Sequence, residues 1–142
     1  MPPATNSKKE RDVVLLDLGN VVLGIDPRQV FFEWSARSGL RVADFARKWV
    51  LDDAYKEHER GKLNFENYCR TLNERYELSM SYQDWEIGWN KLWTKPFAKV
   101  IELFPGLKAN YRLCAFSNTN ATHAKDFKNK YPEIGRASCR ER

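Results

Sequence analysis

No apolar segment of this sequence approaches the roughly 20 residues needed to cross a bilayer as a helix. The opening residues, Met-Pro-Pro-Ala-Thr-Asn-Ser-Lys-Lys-Glu-Arg-Asp, also lack the apolar stretch of a signal peptide. Cysteine is scarce: only Cys69, Cys114 and Cys139 occur, an odd number with no metal-type spacing. That excludes a disulfide framework and a cysteine-built zinc site, and a reducing cytoplasm is the expected compartment. No internal repeat or low-complexity stretch is present, which excludes a solenoid or a disordered array. The net charge of +5 is not a basic face either. Lys8, Lys9 and Arg11 against Glu10 give +2 to residues 1–11, and Arg136, Arg140 and Arg142 against Glu141 give +2 to 136–142, leaving +1 for 12–135. Charge confined to the tails argues against a nucleic-acid partner, and nothing points to a membrane.

What is present is a globular chain of 142 residues, 42% of them hydrophobic, enough for one domain or a domain with a small insertion. Its most informative feature is Asp17, which ends the apolar run Val13-Val14-Leu15-Leu16 and is followed at once by Leu18-Gly19-Asn20. An apolar run without alternation predicts a strand covered on both faces, as in a parallel α/β sheet. Ligands of such sheets bind at the carboxyl ends of the strands. A carboxylate there is placed to be a nucleophile or a metal ligand. A plain Asp-Leu-Gly-Asn turn explains the same residues.

A second strand end has the same character. Tyr111 to Phe116 form another mostly apolar run, ending in Ser117-Asn118-Thr119-Asn120 before a helical stretch over about 121–130. Ser and Asn at such a junction are ordinary helix N-caps. They also offer a phosphate a hydroxyl, an amide and free backbone N–H groups. Two polar strand ends in one α/β chain favour a shared site.

The segment between these strands reads as helical throughout. Asp26-Pro27 marks a helix start and Gly39 a stop. Further helices are expected over 42–51 and on to His58, with Gly61 as a cap, from Asn64 to Tyr76, from Ser81 to about Trp93, and from Pro96 to Gly106 or Ala109. Trp85, Trp89 and Trp93 recur every four residues on one helix face, either as core or as a wall on which a sugar stacks. His58-Glu59-Arg60-Gly61 reads either as a charged helix end or as a substrate-selecting element, and His123 as a surface histidine on a helix.

These motifs resemble the haloacid dehalogenase (HAD) superfamily. Val-Val-Leu-Leu-Asp17-Leu-Gly-Asn-Val-Val is similar to its first motif and Leu-Cys-Ala-Phe-Ser117-Asn-Thr-Asn to its second. Asp-Leu-Gly-Asn-Val, Ile-Asp26, His58-Glu59-Arg60-Gly61, Ser-Asn-Thr-Asn and Tyr131-Pro-Glu-Ile together resemble the branch of α-D-glucose-1-phosphate phosphatase, over about residues 12–134. The resemblance implies an α/β fold, a Rossmann-like HAD core with an inserted α-helical cap. The core is expected over 12–25 and 94–134, the cap over 26–93, and a disordered tail over 1–11.

The resemblance also implies a chemistry. Asp17 is the expected nucleophile, forming an aspartyl-phosphate that water hydrolyses. Asp17 and the backbone carbonyl of Gly19 are expected ligands of Mg²⁺, Ser117 and the Asn118 N–H hold the phosphoryl oxygens, and His58, Glu59 and Arg60 help select the substrate. The expected partner is a small-molecule phosphate ester, a sugar phosphate of the glucose 1-phosphate kind. Many HAD phosphatases have a second Asp two positions after the nucleophile, where this chain has Gly19; the glucose-1-phosphatase branch also has Gly. A metal-independent dehalogenase and a non-catalytic binding module stay open as alternatives.

Residues 135–142, Gly-Arg-Ala-Ser-Cys-Arg-Glu-Arg, have no periodicity and resemble the in-frame translation of a common sequencing adapter. A non-native tail is expected there, with the family's Lys and acidic third and fourth motifs missing from this chain. Lys125, Lys128 and Lys130 follow Ser117 too closely to be that Lys and read as a solvated helix face. The chain by itself is accordingly expected to be inactive.

Overall fold

The computed structural model describes residues 12–132. The expected tails over 1–11 and 135–142, with Cys139, lie outside those residues. Two parallel strands, β1 (Val13–Leu16) and β4 (Arg112–Ala115), pair in register, with Val13 opposite Arg112 and Leu16 opposite Ala115. Register partners in a parallel pair share a face. Val14, Leu16, Leu113 and Ala115 turn to a core completed by Leu18, Val22, Leu23, Trp93, Phe104 and Phe127. The opposite face exposes Val13, Leu15 (63%) and Phe116 (69%). The expectation of a strand covered on both faces is therefore corrected for β1, whose Val13 and Leu15 stay exposed, although Cys114 on the same face of β4 is buried. Cys114 is buried in β4 and is disulfide-bonded.

A second, antiparallel pair joins the sheet to the helices. β2 (Leu23–Ile25) pairs with β3 (Trp93–Pro96), Ile25 lying opposite Trp93 and Leu23 opposite Pro96 across a register irregularity. The pairing extends at both ends, from Phe97 N–H to Val22 O (2.9 Å) and from Asp26 N–H to Leu92 O (3.0 Å). The chain thus leaves and returns side by side. Gly24 suits this crossing, since a Cβ there would lie 2.3 Å from Thr94 Oγ1. The helix expected to run to Trp93 instead ends at Trp89, because the return strand claims Trp93 after a 3₁₀ turn over Asn90–Leu92. The stretch after Pro96 likewise divides into α6 (Ala98–Ile101) and α7 (Phe104–Asn110).

Between β2 and β3 lie five helices: α1 (Pro27–Ser38), α2 (Val42–Lys48), α3 (Asp53–Glu59), α4 (Phe65–Tyr76) and α5 (Tyr82–Trp89). The starts of α1, α3, α4 and α5 are set by side-chain caps, while α2 begins after Arg41 without one. Asp26, Asp52, Asn64 and Ser81 each accept a backbone N–H of the first turn, and Gly39 closes α1 at φ 77°. The helices enclose a second core of largely aromatic side chains, with Trp34, Phe45, Tyr68, Leu72 and Trp85 fully buried. Trp34 and Trp85 meet edge-on at 4.8 Å, and Phe45 and Tyr76 lie 4.7 Å apart. Three of these rings have their polar ends satisfied internally, Trp34 Nε1 donating to Trp85 O (3.1 Å), Trp85 Nε1 to Asn73 Oδ1 (3.0 Å) and Tyr76 Oη to Phe45 O (3.1 Å), whereas the buried Tyr68 hydroxyl and Trp89 Nε1 have no partner among the described residues. Burial in this core pushes the free Cys69 thiol up to about 12, so it packs as an apolar group. The last helix, α8 (Ala121–Lys130), follows β4 and packs beside β3.

Candidate active site

Asp17 is the first residue beyond β1, and Phe116 N–H donates to Leu16 O (2.8 Å), prolonging the parallel pairing past β4. Asp17 and Ser117 therefore leave neighbouring strands at the same, carboxyl edge of the sheet, where α/β sheets bind ligands. The Asp17 carboxylate is exposed, with Oδ1 accepting Leu18 N–H at 2.7 Å.

The loop after Asp17 is tightly wound. Leu18 O accepts both Val22 N–H (2.9 Å) and Leu23 N–H (2.8 Å), and Asn20 sits at φ 55° with its Oδ1 accepting Ile25 N–H (3.0 Å). Asn tolerates that left-handed conformation better than most residues. The winding brings residue 19 against Ile25, where a Cβ would lie 2.6 Å from Ile25 Cδ1. Steric room thus favours glycine at this position, apart from any chemistry. No described hydrogen bond reaches the Gly19 carbonyl, so its oxygen and Asp17 Oδ2 are both free to accept a ligand.

At the other strand end, the cap of α8 is Asn120, whose Oδ1 accepts His123 N–H at 2.9 Å. Sequence left open whether Ser117 and Asn118 serve as caps. They do not, and neither side chain makes a hydrogen bond among the described residues. The Asn120 amide is used at both ends, because its Nδ2 donates to Glu59 Oε1 on α3 at 2.8 Å. One side chain thus caps a core helix and ties it to the helical unit.

Beside Asn118 and Thr119 opens a cavity of about 400 Å³ between the helical unit and the sheet. Its walls are mainly apolar and aromatic, including Phe31, Trp49, Tyr55, Trp89 and Trp93, and its polar lining comes from Glu59, Asn118, Thr119 and His123. Neither Asp17 nor Ser117 lines it; they stand at the strand ends that Asn118 adjoins.

The three residues of the His58-Glu59-Arg60 motif part company. Glu59 lines the cavity, and Arg60 is exposed outside it. His58 is only 3% exposed and lies inside the helical core, stacked on Tyr68 at 5.0 Å with Nδ1 3.1 Å from Leu63 O. It does not line the cavity. The expected surface histidine, His123, is also buried (5% exposed). Its ring stacks on Trp89 at 5.0 Å, meets Trp93 edge-on at 5.8 Å, and places Nδ1 3.1 Å from Asn90 Oδ1. Burial lowers its pKa to about 3, so the imidazole is neutral. Of the tryptophan stripe, Trp85 is core, whereas Trp89 and Trp93 are both core and cavity wall. Lys125, Lys128 and Lys130 are exposed on α8, Lys130 pairing with Asp126 at 2.7 Å.

Sequence reasoning missed Asn90 and Tyr55 altogether, and gave Asn120 no role beyond its motif. Asn120 carried a signal, as the last polar residue before α8. Asn90 carried none, since its contact with His123 spans 33 positions.

Among the described residues no cluster of three or more His, Cys, Asp or Glu forms a metal site. Nor is any described helix long and apolar enough to cross a membrane.

This arrangement, a carboxylate and a polar loop on adjacent parallel strand ends with a helical unit inserted behind the first, is the HAD-type α/β fold. A HAD family enzyme from Bacteroides thetaiotaomicron, solved with magnesium and inorganic phosphate, superposes with a TM-score of 0.70 at 21% identity, covering 85% of this chain and 59% of that one. The magnesium complex of that enzyme gives a TM-score of 0.69 at 20% identity, covering 87% and 59%. A predicted HAD-like family hydrolase from Porphyromonas gingivalis gives 0.61 at 22% identity, covering 80% and 53%. The chain thus spans under two thirds of the length of these structures. No protein-family model matches the sequence.

Proposed function

We propose that this chain carries the nucleophile and phosphate-binding loop of a Mg²⁺-dependent phosphatase acting on sugar phosphates. The observation that carries the reading is the division of labour after β4. Asn120 takes the helix cap, leaving Ser117 and Asn118 unengaged beside Asp17 on the neighbouring strand end.

Asp17 attacks phosphorus through a carboxylate oxygen, and the bond to the leaving oxygen breaks with its electron pair going to that oxygen. Water then cleaves the aspartyl-phosphate, regenerating Asp17 and releasing inorganic phosphate. Ser117 Oγ and the Asn118 N–H bind the phosphoryl oxygens and hold them in line with Asp17. Gly19 supplies no proton, so the leaving oxygen must be stable with little help; the oxygen on an anomeric carbon meets that need better than a simple alkoxide.

Mg²⁺ suits the donors present, because a carboxylate oxygen of Asp17 and the free carbonyl of Gly19 are both hard oxygen ligands. When bound, the ion offsets the repulsion between carboxylate and phosphate dianion. Two donors leave most of its shell to water or to other residues. For that reason we propose that the 142-residue chain alone turns over little substrate. The aromatic cavity beside Asn118 supports a sugar as the leaving group, since indole and phenol faces pack against the C–H faces of a pyranose.

The test is phosphate release from α-D-glucose 1-phosphate by the protein expressed from the source gene, with and without EDTA. Mg²⁺-dependent release that Asp17→Asn abolishes is expected. Metal-independent turnover of a haloacid, with none of the phosphate ester, overturns the reading in favour of a dehalogenase.

A further inference from the structure

The cavity beside the phosphate loop is unusual in its charge. Among the described residues lining it there is no Lys or Arg, and Glu59 is the one acidic side chain of the carboxylate type. Glu59 spends Oε1 on the Asn120 amide (2.8 Å), and no described group donates to its other oxygen.

Opposite in kind but equal in effect is His123. Its Nδ1 faces Asn90 Oδ1 at 3.1 Å, and a carbonyl oxygen only accepts, so Nδ1 bears the proton and Nε2 is left as an acceptor. Burial against Trp89 and Trp93 holds the ring neutral, with its pKa lowered to about 3. The cavity thus presents two acceptors, one of them negative, set among aromatic rings.

We infer that Glu59 and His123 form a charge filter that admits a neutral, hydroxyl-bearing ring and rejects a leaving group with a second anionic substituent. The inference rests on the phosphatase reading only for the name of the step it filters. A hydroxyl satisfies either acceptor by donating to it. A carboxylate or second phosphate donates nothing, meets the charge of Glu59 in an apolar setting, and finds no cation there to offset it.

The filter is tested on the 142-residue chain by ligand-observed NMR, using methyl α-D-glucopyranoside and its C6-carboxylate analogue, methyl α-D-glucuronide. The wild type is expected to bind the neutral glycoside at least about tenfold more tightly, as a like-charge contact in a partly buried site requires. Glu59→Gln retains an acceptor for the Asn120 amide and is expected to bring the two within about threefold. His123→Phe keeps the ring stack and is expected to weaken the neutral glycoside selectively. Equal binding of the two glycosides to the wild type, an unchanged ratio in Glu59→Gln, or no binding of the neutral glycoside overturns the filter. Separate titration with inorganic phosphate and Mg²⁺ reports on the phosphatase reading, so that reading can fail while the filter stands.

Discussion

Gly88→Ala sets helix propensity against packing, and the structure decides the sign. In the middle of a helix the change contributes about 1 kcal/mol of stability through the backbone. At position 88, however, the new Cβ would lie 2.1 Å from Trp34 Cδ1 and 2.3 Å from its Nε1. Trp34 has nowhere to go: it is fully buried, meets Trp85 at 4.8 Å and stacks near Trp89 at 6.0 Å. Forcing it aside costs about 1–3 kcal/mol in repacking. Loss of its hydrogen bond to Trp85 O adds about 1 kcal/mol. The net expectation is destabilisation by roughly 2 kcal/mol, a fall of about 1 M in the urea midpoint with an unchanged slope. Because Trp89 is also a cavity wall, ligand binding should weaken in the same variant. Gly106→Ala in α7 is the control, since nothing lies within 4 Å of its Cβ position. It should gain up to about 1 kcal/mol. Urea titrations followed by far-ultraviolet circular dichroism measure both. A Gly88→Ala protein as stable as the wild type refutes the packing argument.

Other expectations follow from single contacts. His123 is held neutral by burial, its pKa lowered from 6.5 to about 3, so the unfolded chain takes up the proton first as the pH drops. Stability from this residue is complete above pH 6.5 and is lost on acidification towards pH 3, by up to about 1.4 kcal/mol per pH unit. Urea midpoints of His123→Gln across that range should lack this part of the slope, and an identical slope rejects the assignment. In the enzymatically competent protein, Asp17→Asn should lower phosphate release by roughly 10³-fold or more with the circular dichroism spectrum unchanged. Gly19→Ala should displace the flexible Ile25 Cδ1 end, 2.6 Å from the new Cβ, into the cavity it lines. The outcome there is a raised KM for the sugar phosphate with under about 1 kcal/mol lost in stability; a change in kcat alone contradicts it.

The helix starts were legible because capping is local. Asp26, Asn64 and Ser81 each bond an N–H two or three residues on, and Gly39 closes α1 in the conformation glycine favours. The two polar strand ends were legible for the same reason, since Asp and Ser interrupt apolar runs. The β2–β3 pair was not. It has three residues on one side, a terminal Pro on the other, and partners about 70 positions apart, so no periodicity announces it. The same limit applies to His58 and His123. Each sits in a polar sequence context, and only packing by Tyr68 in one case and by Trp89 and Trp93 in the other buries it. The exposed face of β1 was invisible for a related reason: Val13 and Leu15 are as apolar as their buried neighbours.

The five tryptophans, Trp34, Trp49, Trp85, Trp89 and Trp93, are all joined through ring contacts, Trp34 touching the three others of the helical unit and His123 bridging Trp89 to Trp93. Excitation energy absorbed anywhere in this set passes readily among indoles at such distances. The ultraviolet emission of the whole protein therefore pools the helical core, its seam with α8 and, through Trp93, the core beneath the sheet. Trp93 also packs in the core beneath β1 and β4, so fraying of that pair would feed into the same signal, and a single-wavelength trace would register one event where two occur.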